Sequence, residues 1–223
     1  MKPNLIVMLT HNDKTVRDAV QVFDSCADLP VKFWGIKDVG LNIDEMRRLV
    51  LRMKNKNKKT FLEIVTFDEK KAIELANLAV EFEFDYLMGP NFYPSLLSIV
   101  KQKGIHYFPF CGNVGGHPVV LKGTIHDILD EAKSIEKLGV DGFDLSAYRY
   151  IDGDPEELAK TLINNIEKPI VIAGSISSID MVKKMKELKP WAFTIGSAFF
   201  DKRFIENGTF AEQVEKVISY LRG

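Results

Sequence analysis

PIVIAGSIS, residues 169–177, and AFTIGSAFF, residues 192–200, repeat one pattern. Each is an apolar run that breaks into Gly-Ser, and one helix-length stretch separates the two. Apolar, β-branched runs read as buried strands, and the Gly-Ser that ends each reads as a backbone-rich turn. Two such turns at the ends of neighbouring strands bring amide N–H groups to one place, which suits an anion. In a barrel of eight parallel strands, the loops after strands seven and eight often hold a phosphate. The pair therefore predicts a (β/α)8 barrel, class α/β, that binds a phosphorylated small molecule through Gly174, Ser175, Gly196 and Ser197.

Six earlier strands are needed, and runs at residues 5–9, 33–36, 61–67, 86–88, 106–110 and 142–148 supply them. Helix-like stretches separate these runs, so right-handed crossovers and a parallel sheet follow. Helix boundaries fix the register. Asp154-Pro155-Glu156-Glu157 reads as a cap, a first-turn proline and a capping-box glutamate. Thr124 with Asp127 opens another helix, which Leu138-Gly139 closes, and Ser177 or Ser178 caps the next. Asp38 reads as the cap of the helix after strand two. No linker or composition shift divides the 223 residues, so a single domain spanning 1–223 is expected.

Hydrophobic residues at 46% and charged residues at 27% fit a globular chain with a sizeable core, and argue against disorder. A net charge of −1 supplies no field for nucleic acid or an anionic membrane. The one basic run, residues 54–59, falls between helix two and strand three, opposite the active rim, and reads as a solvated loop. The apolar stretch at the N-terminus is too short for a signal peptide, so a cytoplasmic location is expected. Cys26 and Cys111 show no metal-ligand or disulfide spacing, and the four histidines form no convergent set. No metal or cofactor is expected. Residues 111–123, CGNVGGHPVVLKG, match neither a P-loop nor a dinucleotide fingerprint and read as a candidate mobile lid. Phe199, Phe200 and Phe204 would bury either in a homo-oligomer or under the last helix.

Polar residues at the C-terminal ends of barrel strands usually face substrate. Strand one ends in Thr10, His11 and Asn12, strand two in Lys37, strand three carries Glu63, and strand six carries Asp144. Alternation places Phe33, Gly35 and Lys37 on one face, and Asp144, Ser146 and Tyr148 on one face. If both point inward, Lys37, Glu63 and Asp144 share a cavity. There they read either as a proton-transfer set or as an internal salt bridge. Arg149 suits a phosphate or carboxylate clamp, or a rim pair with Asp152 or Asp154. His11 and Tyr148 are the remaining substrate-binding candidates.

With IAGSI and IGSAFF, the C-terminal third resembles the ribulose-phosphate-binding barrel superfamily, whose corresponding loops hold a substrate phosphate. The DLSAYR segment and the final Gly196-Ser197 are similar to N-acetylmannosamine-6-phosphate epimerases, although the lysine of WGIK lies on strand two rather than on the following strand. FDYLMGPNFYPSLLSIVKQKGIHYFPF, with Glu63 in FLEIVT, resembles 2-keto-3-deoxy-6-phosphogluconate aldolases. That resemblance implies a Schiff-base lysine on strand six; residues 139–150 contain none, so this chemistry would need Lys37. Length and phosphate loops also resemble glycerol-3-phosphate-responsive antiterminator barrels, which implies a metabolite sensor. The expectation is a metal-independent epimerase or isomerase of a phosphorylated sugar or sugar acid. Glu63 and Asp144 are its base candidates and Lys37 its electrophile. A class I aldolase and a non-catalytic sensor are the alternatives.

Overall fold

The computed structural model describes residues 2–223. Its barrel strands are β1 (Asn4–Met8), β2 (Phe33–Lys37), β3 (Lys59–Glu63), β4 (Tyr86–Asn91), β5 (His106–Phe110), β6 (Phe143–Leu145), β7 (Ile170–Ile172) and β8 (Ala192–Ile195). All eight are parallel and hydrogen-bond in chain order until β8 closes on β1, with Val7 opposite Ile195. Helices α1 (Ala19–Cys26), α2 (Ile43–Asn55), α3 (Glu69–Glu81), α4 (Pro94–Lys101), α5 (Ile125–Glu136), α6 (Pro155–Asn165) and α7 (Ile179–Leu188) connect them. The short α8 (Ser197–Phe200) and then α9 (Phe210–Arg222) follow β8. Two small hairpins sit in the rim loops, pairing residues 10–11 with 14–15 and 113–115 with 120–122.

Two apolar layers hold the barrel. Inside, Ile6, Met8, Phe33, Phe61, Met88, Phe108, Val171 and Ala192 fill the lumen. Outside, each helix lays a stripe on the strands; Met46, Leu49, Val50 and Met53 are buried on α2 at helical spacing. Each such side chain contributes roughly 1.5–3 kcal/mol when fully buried. Phe199 packs against Phe204 and Phe210, and Phe200 against Phe210, so these aromatics pack on the start of α9, with Phe199 buried and Phe200 and Phe204 half-buried.

Several boundaries differ from expectation. β3 ends at Glu63 rather than residue 67, because Asp38 reaches across and accepts hydrogen bonds from Val65 N (3.0 Å) and Thr66 Oγ1 (2.7 Å). Asp38 is therefore a tie between two loops, and Asn42 caps α2 through a full capping box. β6 ends at Leu145, and a 3₁₀ turn over Ala147–Arg149 takes Tyr148 out of the strand alternation. Asp154 caps α6 by accepting from the Glu156 and Glu157 amides, but no reciprocal glutamate contact forms there. Thr124 and Ser178 cap α5 and α7. The basic run lies on the far face, where Lys54 pairs with Glu83, Lys56 with Asp28 and Lys59 with Asp85.

Candidate active site

β2 and β3 run in register with Lys37 beside Glu63, and both are inward-facing and almost fully buried. Thr15 anchors the end of β2: its hydroxyl accepts from Lys37 N and donates to Lys37 O, each at 2.9 Å. The Lys37 ammonium lies 3.4 Å from Glu63 Oε1 and 3.0 Å from Asp13 Oδ1. Asp13 comes from the first rim hairpin, whose two central residues, Asn12 and Asp13, have φ of 50° and 60°. Positive φ at both central positions is the type I′ geometry that tight hairpins favour, and asparagine and aspartate tolerate it. The turn swings Asp13 over the barrel mouth, where Arg149 grips it through two hydrogen bonds of 2.8 and 2.7 Å. Asp13 thus joins the loops after β1 and β6 to the end of β2.

The charges follow from this geometry. Burial works to raise the Asp13 pKa, but the hydrogen bonds from Arg149 and Lys37 and their positive charges outweigh it and lower it to about 2. Burial also opposes the Lys37 charge, yet Glu63 and Asp13 overcome it and set its pKa above the ordinary lysine value. Lys37 is an ammonium at neutral pH. Asp144 behaves in the opposite way. Its carboxyl is fully buried with neither oxygen hydrogen-bonded, and burial, reinforced by the Glu63 charge and opposed by Lys37, raises its pKa well above the usual carboxylate value.

A cavity of about 400 Å³ opens at the C-terminal ends of the strands. Lys37, Glu63, Asp13, Ser146 and Arg149 line it, and so do residues 174–177 and 196–198 from the two Gly-Ser turns. The two Gly-Ser turns do lie side by side. Gly196 has no room for a side chain, since a Cβ there would lie 2.5 Å from Thr10 Oγ1 and 2.9 Å from Thr10 O. Gly174, at φ 92°, would place a Cβ 2.8 Å from Arg149 Cγ. The Ser197 hydroxyl accepts from Asn12 N at 3.2 Å, which ties this wall to the hairpin that carries Asp13.

Of the residues singled out in the sequence, Lys37, Glu63, Arg149, Gly174, Ser175, Gly196 and Ser197 meet at this cavity. Asp144, His11 and Tyr148 are not among its lining residues. Asp144 sits inside the barrel wall; His11 Nε2 lies 2.9 Å from Asp201 Oδ1 at the outer rim; Tyr148 lines an adjoining groove. The rim pairs anticipated for Arg149, with Asp152 or Asp154, do not form, because Asp13 takes its guanidinium. Asp13 itself, and Arg203 from the loop that follows α8, were not anticipated. The Asn-Asp turn signal in THNDKT was available for Asp13; nothing local marks Arg203, which reaches the cavity only because α8 turns the chain back.

No protein-family profile matches this chain, and no curated protein matches it. Solved structures do. A native KDPGal structure superposes with a TM-score of 0.68 at 12% identity, covering 100% of this chain and 96% of the other. N-(5′-phosphoribosyl)anthranilate isomerase from Pyrococcus furiosus gives 0.66 at 12% identity, covering 99% and 98%. N-acetylmannosamine-6-phosphate 2-epimerase from Clostridium perfringens gives 0.64 at 14% identity, covering 97% and 92%. At these identities the likeness is one of fold alone, a closed barrel of eight parallel strands ringed by helices.

Proposed function

We propose that this chain, a barrel of the ribulose-phosphate-binding fold, catalyses epimerisation or isomerisation of a phosphorylated sugar or sugar acid by proton transfer next to a carbonyl. The observation that carries the reading is the Lys37 ammonium, held between Asp13 and Glu63 in a cavity that the pair of Gly-Ser turns also lines. The turns and Arg203, which makes no ion pair among the described residues, would hold the phosphate. Glu63 is positioned to take the proton from the carbon beside the carbonyl. Lys37 then stabilises the enolate oxygen and no metal is needed for that charge. Asp144, buried beside this set with its pKa raised by burial, is out of the cavity lining and does not touch the substrate.

A class I aldolase needs a neutral amine as nucleophile, and a lysine whose pKa is raised by two carboxylates supplies it poorly. The test is a deuterium-exchange assay in D₂O on phosphosugars and phospho-sugar acids that first raise the thermal unfolding midpoint. Exchange at the carbon beside the carbonyl should fall ~100-fold or more in Glu63→Gln and in Lys37→Gln. Borohydride-trapped adducts at Lys37, or exchange unchanged in both variants, would sink the proposal.

A further inference from the structure

An adjoining groove of about 900 Å³ shares Asp13, Val119, Arg149, Ser175 and Ser197 with the polar cavity. Beyond that shared wall its character changes. Val39, Pro118, Val120, Tyr150 and Ile151 supply apolar surface, and His117, Asn12 and Lys14 are its polar members. Ile151 is 58% exposed, one of four large apolar side chains so placed among the described residues. It does not stand alone on the surface as a stray apolar residue would, because it continues the surface of the hairpin over residues 113–122. The Tyr148 ring also lines the groove, and its hydroxyl is buried without a hydrogen-bond partner.

We infer that the natural ligand is a phosphosugar whose phosphate monoester is seated at the Gly-Ser turns and whose frame carries a bulky apolar substituent lying in this groove. The inference deepens the proposed function and rests on its phosphate site. Continuity carries it: Ser175 and Ser197 line both spaces, so a ligand whose phosphate sits at the turns and whose sugar faces Lys37 and Glu63 has the mouth of the groove beside it. The groove is also more than twice the volume of the polar cavity, more space than the sugar frame of a small phosphosugar needs.

Titration calorimetry of the full chain with methyl phosphate and with 4-phenylbutyl phosphate tests it. The phenylbutyl ester should bind ~10-fold or more tightly, the gain expected from burying an aromatic ring. Ile151→Glu and Val120→Glu, each checked for an unchanged unfolding midpoint, should erase that gain and leave methyl phosphate affinity as it was. Equal affinity for the two esters, or a gain that survives both variants, overturns the inference alone. Failure of methyl phosphate to bind, with Ser197→Asp changing nothing, overturns the phosphate reading and this inference with it. A concentration-dependent dimer that Ile151→Glu dissociates would assign the groove to a second copy of the chain and overturn it as well.

Discussion

Asp13 accepts three charge-assisted hydrogen bonds, two from Arg149 and one from Lys37, so its protonation should be felt by the whole rim. Its folded pKa of about 2 lies below the ordinary 3.8, so its contribution to stability is complete above pH 4 and fades as the pH falls towards 2. Allowing for partial exposure, that contribution is about 1–2 kcal/mol. Urea denaturation should find Asp13→Asn less stable than wild type by at least that much at pH 7, with the gap narrowing between pH 4 and 2. A gap independent of pH would show that Asp13 does not hold these charges together. Asp144 gives the opposite sign. Its raised pKa means the folded state keeps a proton that the unfolded chain releases above about pH 4, so wild type loses stability as the pH rises from there. Asp144→Asn cannot ionise and should match wild type near pH 4 and exceed it at pH 7. If the variant is less stable than wild type at pH 7, Asp144 is ionised in the folded protein.

At the level of elements, the strands were legible because each is an apolar run bounded by turn chemistry, and the two Gly-Ser breaks located the C-terminal rim. What the sequence hid was where strands stop. Residues 65–67 look like a continuation of β3, yet they leave the sheet because Asp38, remote in sequence, takes the Val65 amide and the Thr66 hydroxyl. Tyr148 keeps β6 parity on paper, but the 3₁₀ turn at Ala147–Arg149 rotates it out, and Arg149 points to Asp13 as a result. These are tertiary hydrogen bonds and ion pairs, and local periodicity carries no record of them. The same packing makes the β7 loop sensitive to one methyl group. Gly174 combines φ 92° with a would-be Cβ 2.8 Å from Arg149 Cγ, so Gly174→Ala must strain the turn or displace the arginine. We expect a cost of ~1–3 kcal/mol in urea denaturation and at least ~10-fold weaker binding of methyl phosphate. Full affinity in a destabilised variant would mean that the turn does not contact the anion.

Across the molecule the two ends of the barrel divide their tasks. At the N-terminal end of the strands, Phe33 meets Phe61 and Tyr86 edge-on at 5.5 and 6.1 Å and a tilted Trp191 at 5.5 Å, while Phe61 stacks on Tyr86 at 4.2 Å. These rings close the floor of the lumen, and each favourable pair adds about 0.5–1.5 kcal/mol beyond the area it buries. Lys37 lies on the same strand as Phe33 and the same face, four residues further along, with Gly35 between them. Stability at the floor and binding at the mouth should therefore separate. Phe33→Ala should cost ~3–5 kcal/mol, and the milder Phe33→Leu about 1–2 kcal/mol, both read from urea midpoints. Methyl phosphate affinity, measured below the unfolding transition, should stay within about 2-fold of wild type in both, because Asp13, Thr15 and Glu63 hold the end of β2 independently of the floor. Affinity that falls in step with stability across the two variants would show that the aromatic floor sets the position of Lys37, and that β2 transmits strain along its whole length.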